Sequence, residues 1–282
     1  MPTPGKSFTV LVMAGSRATG DPLAVATGAA HKALAPVGGV PMLTRVLRTV
    51  HAARSVGRIV VCGLDAATAR SAVPEPNTVE FVSGGDTPGA SALHVIDTLG
   101  LAPPILITTA DHPLLTPDTV DEFCAASAGL DADVTFGVTP GAQVSATFPG
   151  VHRTHYRFRD GGYCGCNLYA LLSPSGLQAP RVWMRVEQHR KRPWRIVAAL
   201  GPWLLLRFLR GRVALADITP FTQRRLGLRA VAVRLSDPAA GFDVDTYAQL
   251  QAAEAFLARR ATGGPPTEPR TAGLTTRLRG GR

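Results

Sequence analysis

Lysine is nearly missing from this chain: of its thirty basic residues only Lys6, Lys32 and Lys191 are lysine, and the rest are arginine. Arginine is therefore the default surface cation, and a lysine in an otherwise uncharged loop, as Lys32 is, stands out. A compact ammonium suits point contact with a phosphoryl oxygen, whereas a guanidinium prefers a forked grip. Cysteines are few, at positions 62, 124, 164 and 166. Cys164-Gly165-Cys166 is too close-spaced and too isolated for a zinc site, so a reduced, cytoplasmic thiol set is expected. No apolar run reaches the roughly 18 residues of a membrane span. The short apolar stretch behind Lys6 continues directly into Ala14-Gly15-Ser16 and reads as a first strand, not a signal peptide.

Acidic residues are missing from one place in particular. Residues 1–180 carry eleven Lys/Arg against thirteen Asp/Glu, whereas residues 181–229 carry twelve against two, Glu187 and Asp217. The net charge of +10 thus sits in one segment and a basic tail, and no nucleic-acid partner is expected for the chain as a whole. Two readings of 181–229 stand open. One is a pair of short helices with a solvated basic face; the other, favoured by the lack of balancing acids, is a lid for an anionic acceptor or a surface resting on anionic lipid. Trp183, Trp194 and Trp203 fit core or interface alike.

What is present is organised around residues 8–43. Phe8 to Met13 reads as a buried strand that opens into the small-residue loop Ala14-Gly15-Ser16-Arg17, where free backbone N–H groups can hold an anion. Arg17 and Lys32 would add the fixed positive charge a polyphosphate needs. Behind Pro41, Leu43, Val46, Leu47 and Val50 mark one buried helical face. Further strands are expected at 58–64, 78–83, 104–109 and 134–138, with helices behind Ser91 and Thr116-Pro117. Such alternation argues for an α/β fold, a three-layer, mostly parallel, Rossmann-like sheet. Asp111 stands at the carboxyl end of the strand 104–109, where open α/β sheets bind ligands. Asp118, Asp121 and Glu122 read as structural acids at a helix N-terminus, and His112 as a solvent-facing neighbour without chemistry.

From about residue 140 the pattern changes. A hairpin turning at Asp160-Gly161-Gly162 is followed by the basic segment, so residues 140–229 read as a helical and hairpin insertion in a single domain spanning 1–261. A strand at 230–235 and a helix carrying Tyr247, Leu250, Ala253 and Leu257 close the domain. Residues 262–282 read as a disordered basic tail.

Leu11, Ala14, Gly15 and Arg17, followed by Lys32, Leu34, Pro36, Gly39, Pro41 and Leu43, resemble the signature LAAGxGxR and KxLxPxxGxPml of the MobA-like nucleotidyltransferases with a GT-A-type fold. The chain departs from it where GxGxR becomes Gly15-Ser16-Arg17. TADHPLLTPDTV resembles the family's tgDxPLlt, and Asp243-Val244-Asp245-Thr246 its closing acid-threonine motif. The resemblance implies Mg2+-dependent transfer of an NMP from an NTP to an acceptor, with release of pyrophosphate. It makes Asp111 and Asp245 the metal ligands, with Asp243 in reserve. Lys32 would steady the α-phosphate and Arg17 the leaving phosphates, with Ala14, Gly15 and Ser16 as the cradle. Ser91 would lie against the nucleobase and ribose, with Gly89 allowing close approach; the alternative for Ser91, which does not exclude the first, is a plain helix cap. Asn167 is either a substrate contact or a turn residue. The acceptor is expected to be a small molecule or a lipid-linked group carrying a phosphate or phosphonate; the molybdenum cofactor is an alternative, and a non-catalytic nucleotide-binding or membrane-docking protein is the rival from another class.

Overall fold

The computed structural model describes residues 7–15, 20–65, 67–68, 73, 78–188, 206–207, 210 and 212–262, without the side chains of 185–188. In chain order the elements are β1 (Phe8–Met13), α1 (Pro22–Thr27), β2 (Pro36–Val37), β3 (Val40–Pro41), α2 (Met42–Ala52), β4 (Val56–Cys62) and β5 (Glu80–Val82). They continue with α3 (Pro88–Leu99), β6 (Ile105–Thr109), α4 (Pro117–Ala128), β7 (Val134–Pro140), α5 (Gly141–Thr147), β8 (Tyr156–Phe158) and β9 (Gly161–Leu171). Last come α6 (Ala179–Gln188), α7 (Ile218–Leu226), β10 (Ala230–Arg234) and α8 (Tyr247–Ala261).

The main sheet runs β10-β7-β9-β6-β1-β4-β5, with β8 paired to β9 off that path. β1 pairs in parallel with both β4 and β6, so the chain order reverses on its two sides. Both faces of β1 are buried, as a continuous apolar strand requires. Val10 and Val12 join the cluster that holds Leu43, Val46, Leu47 and Val50 of α2, while Leu11 joins Ala92, Val95 and Ile96 of α3 on the other face. Each side chain fully buried in this way contributes about 1.5–3 kcal/mol. Among the described residues no helix is long and apolar enough to cross a membrane.

The expected hairpin forms between β8 and β9, but it is not an appendage. β9 lies inside the sheet, antiparallel to both β6 and β7, because Cys164, Cys166, Leu168 and Ala170 are each at most 1% exposed and need cover that an outlying hairpin lacks. Residues 189–205, 208, 209 and 211 of the basic stretch and the tail beyond Thr262 lie outside the described residues.

Asp121 does the structural work expected of it. Its carboxylate accepts from the Ser55 amide at 2.8 Å, the Ser55 hydroxyl at 2.7 Å and the Arg54 amide at 3.2 Å, fastening α4 to the turn before β4. Burial pushes its pKa up, but the Ser55 and Arg54 donors outweigh burial and hold it below the ordinary value. A depressed folded pKa gives stability that is present above the unfolded value and is lost as pH falls through the folded one. Asp121→Ala is therefore expected to cost about 1–3 kcal/mol at pH 7. Urea melts should show that difference shrinking below the ordinary value of 3.8.

Candidate active site

The site lies at the carboxyl ends of β1 and β6, neighbouring strands on the two sides of the order reversal, where open α/β sheets leave a crevice. Ala14 donates to Cys62 O at 2.7 Å and Ala110 to Met13 O at 2.9 Å, so the loop after β1 starts from a fixed backbone. Gly63 has φ +90°, and a Cβ there would stand 2.8 Å from Gly15 Cα; one on Gly84 would stand 2.8 Å from Gly63 Cα. Glycines behind three adjacent strands thus pack backbone to backbone and bring the Gly15 loop and the 84–91 loop together. Gly63 and Gly84 went unassigned in the sequence, although each stands just past a strand. Gly63→Ala is expected to cost about 1–3 kcal/mol of strain, visible as a lower denaturation midpoint together with weaker nucleotide binding. Ser16 and Arg17 lie outside the described residues.

Lys32 opens a 3-10 turn, Lys32–Leu34, whose first residue is set by His31: its Nδ1 accepts from the Ala33 amide at 3.1 Å. Ala33 is buried behind it, so the lysine stem lies along the crevice and its head emerges between two acids. Nζ stands 2.6 Å from Asp111 Oδ2 and 2.5 Å from Asp245 Oδ1. Burial pulls the Lys32 pKa down, but the two carboxylates outweigh burial and raise it, which keeps the ammonium charged. Asp111 shows the mirror image: burial pushes its pKa up and the Lys32 charge brings it below the ordinary value.

Asp111 lies two residues beyond the end of β6, and its carbonyl accepts from the Val244 amide at 2.9 Å, which joins the two acidic loops. Asp245 precedes α8 without capping it. Thr246 is the cap, in a reciprocal capping box with Gln249, whose Oε1 also accepts from the Asp245 amide at 2.7 Å. The Asp245 side chain is thereby left to Lys32. Asp243 completes the group: ligand oxygens of Asp111, Asp243 and Asp245 lie within 4.8 Å of one another. An all-oxygen, carboxylate-rich set suits a hard divalent cation. Asp111 Oδ1 also fits, being buried with no hydrogen-bond partner among the described residues.

Other expectations fare differently. Ser91 does not cap a helix: α3 starts at Pro88 under a Thr87 cap, and Ser91 sits inside it, 6% exposed. Its hydroxyl accepts from the Gly85 amide at 2.9 Å and donates to the Gly85 carbonyl at 3.2 Å, which shapes the glycine loop. The close approach at Gly89 is made by α6, since a Cβ there would meet Met184 Cγ at 2.7 Å and the Pro180 carbonyl at 2.9 Å. Asn167 has φ +49° where the register of β7 and β9 shifts, so it carries a bulge in the strand. His112 is not solvent-facing but 1% exposed, and burial lowers its pKa to about 4, leaving it neutral. Arg153, unassigned in the sequence, packs largely out of solvent against Asp243 in an ion pair.

The family described as the MobA-like NTP transferase domain matches residues 10–207. No protein of curated function matches the sequence. Among solved structures, a hypothetical transferase from Thermus thermophilus is similar at 29% identity and a TM-score of 0.71, over 86% of this chain and 99% of that one. A 4-diphosphocytidyl-2C-methyl-D-erythritol synthase from Anaerococcus prevotii aligns at 13% identity and a TM-score of 0.53, over 90% and 97%. A CMP:2-keto-3-deoxy-manno-octonic acid synthetase complexed with CTP aligns at 13% and 0.53, over 91% and 99%. These last two likenesses show the shared fold alone. With its sheet order, its strand-end acids and a family match over most of its length, the chain belongs to the MobA-like NTP transferases and is a nucleotidyltransferase.

Proposed function

We propose that this protein transfers an NMP from an NTP to a phosphate- or phosphonate-bearing acceptor, with Mg2+ and with release of pyrophosphate. The observation that carries the reading is the convergence of Asp111 and Asp245 on one lysine at the carboxyl edge of the sheet. An acceptor oxygen attacks the α-phosphorus, the new O–P bond forms, and the bond from the α-phosphorus to the bridging oxygen breaks as pyrophosphate leaves.

Little covalent chemistry falls to the protein, so positioning and charge neutralisation carry the rate. Asp111 and Asp245 would hold the cation, whose charge neutralises the triphosphate, and Asp243 lies beside them. Lys32 is then released from the carboxylates and steadies the α-phosphate as charge develops there. Arg17 grips the leaving phosphates, and the backbone of Ala14, Gly15 and Ser16 cradles them. Gly89 and Ser91 border the nucleoside and Asn167 the acceptor. The basic segment 181–229 supports an anionic acceptor, because twelve cations there face only two acids.

Pyrophosphate release should be measured with each of the four NTPs and Mg2+ against sugar, polyol, lipid and molybdopterin phosphates and phosphonates. Release that requires one NTP, one acceptor, Lys32 and Asp111 is the expected result. Tight NTP binding without release across the whole panel would instead favour a non-catalytic nucleotide-binding protein.

A further inference from the structure

We propose that Arg153 is a positioning residue of this site, one that aims Asp245 at the cation and keeps Asp243 out of its coordination; the inference rests on the transfer reading above. Arg153 belongs to the segment between α5 and β8, and its side chain is 12% exposed. Its guanidinium holds a whole stretch of loop at once. Nη1 donates to Asp243 O at 3.0 Å and Nη2 to Gly241 O at 3.1 Å, while Nη2 also pairs with Asp243 Oδ1. The carbon at its centre stands 5.3 Å from the centroid of the Phe242 ring. Only a planar fork with several donors reaches two carbonyls and a carboxylate together.

One residue further on, the Val244 amide is tied to the Asp111 carbonyl at 2.9 Å. The loop is thus fastened on both sides of Asp243, and the next side chain, Asp245, is the one delivered to Lys32 at 2.5 Å. The three carboxylates are neighbours, but they are not equivalent. Asp111 and Asp245 share a lysine that an incoming nucleotide can draw away, whereas Asp243 is neutralised by a buried guanidinium that also holds the backbone. A carboxylate already paired in this way is a poor ligand, and freeing it would leave Arg153 with an unpaired buried charge.

The test is binding of Mn2+, alone and with each NTP in excess, followed by the EPR signal of the free ion, beside the thermal midpoint of each variant. Asp245→Asn should weaken Mn2+ binding at least about tenfold, and Asp243→Asn by less than about threefold. Arg153→Lys keeps the charge without the fork and should weaken binding about tenfold. The double variant Arg153→Met/Asp243→Asn buries no unpaired charge; it should recover the thermal midpoint lost in Arg153→Met but not the Mn2+ affinity. Equal losses in Asp243→Asn and Asp245→Asn would overturn the proposal, as would wild-type affinity in Arg153→Lys or in the double variant. Wild-type protein that binds no Mn2+, with or without NTP, would remove the transfer reading itself and this inference with it.

Discussion

Lys32→Met should bind divalent cation about tenfold more tightly than the wild type and yet transfer nucleotide at least about a hundredfold more slowly. The two effects oppose each other because one ammonium serves two states. Without nucleotide, Lys32 sits between Asp111 and Asp245 at 2.6 Å and 2.5 Å, where it competes with a cation for the same oxygens. Removing it leaves carboxylates that repel one another and welcome a cation. On the proposed mechanism that ammonium is the charge aimed at the reacting phosphorus once the triphosphate is bound, and a methyl thioether cannot replace it. Mn2+ titration and pyrophosphate release measure the two effects; if both fall together, Lys32 orients the carboxylates and does not compete for them.

The stability of the metal-free protein carries the same signature. The raised pKa of Lys32 gives stability present below its unfolded value of 10.5 and lost as pH rises through the folded one. The lowered pKa of Asp111 gives stability present above 3.8 and lost as pH falls through its folded value. The gap between wild type and Lys32→Met should therefore be flat between those values and close at both extremes.

Asp111→Asn should lower transfer about 100- to 1000-fold, and unlike Asp245→Asn it should also weaken the metal-free fold. The contrast follows from burial. The Asp111 side chain is 22% exposed and that of Asp245 is 57% exposed, so only the first loss strands Lys32 inside the crevice with a solvent-screened partner. A cost of about 1.5–3 kcal/mol is expected for Asp111→Asn, the worth of a hydrogen bond to a charged group. For Asp245→Asn the cost should be under about 1 kcal/mol. Chemical denaturation in EDTA separates the two variants, and equal costs would contradict the burial argument.

Much of this arrangement was legible because it is written in local pattern. The apolar run of β1, the spacing of Leu43, Val46, Leu47 and Val50, and the strand that ends at Asp111 each carry their own signal over a few residues. The cap of α3 was legible in the same way and was misread: Thr87-Pro88 has the form of Thr116-Pro117, which starts α4. Arg153 was not legible. Its partners lie 88 and 90 residues away, and an arginine is the least distinctive cation in a chain built with arginine. Nor does local pattern show that β9 enters the sheet between β6 and β7, since its alternation suits any half-buried strand. The role of Gly89 depends on a helix some ninety residues on that folds over it, and His112 differs from a surface histidine only through what packs upon it.

The most direct measurement is calorimetric titration of the wild type and of Asp111→Asn with each of the four NTPs, in Mg2+ and in EDTA. At least one NTP should bind the wild type in Mg2+, lose at least about tenfold in affinity in EDTA, and lose as much in the variant even when Mg2+ is present. Binding that ignores both the cation and Asp111 would contradict the account, because the converging carboxylates would then have no part in holding the nucleotide.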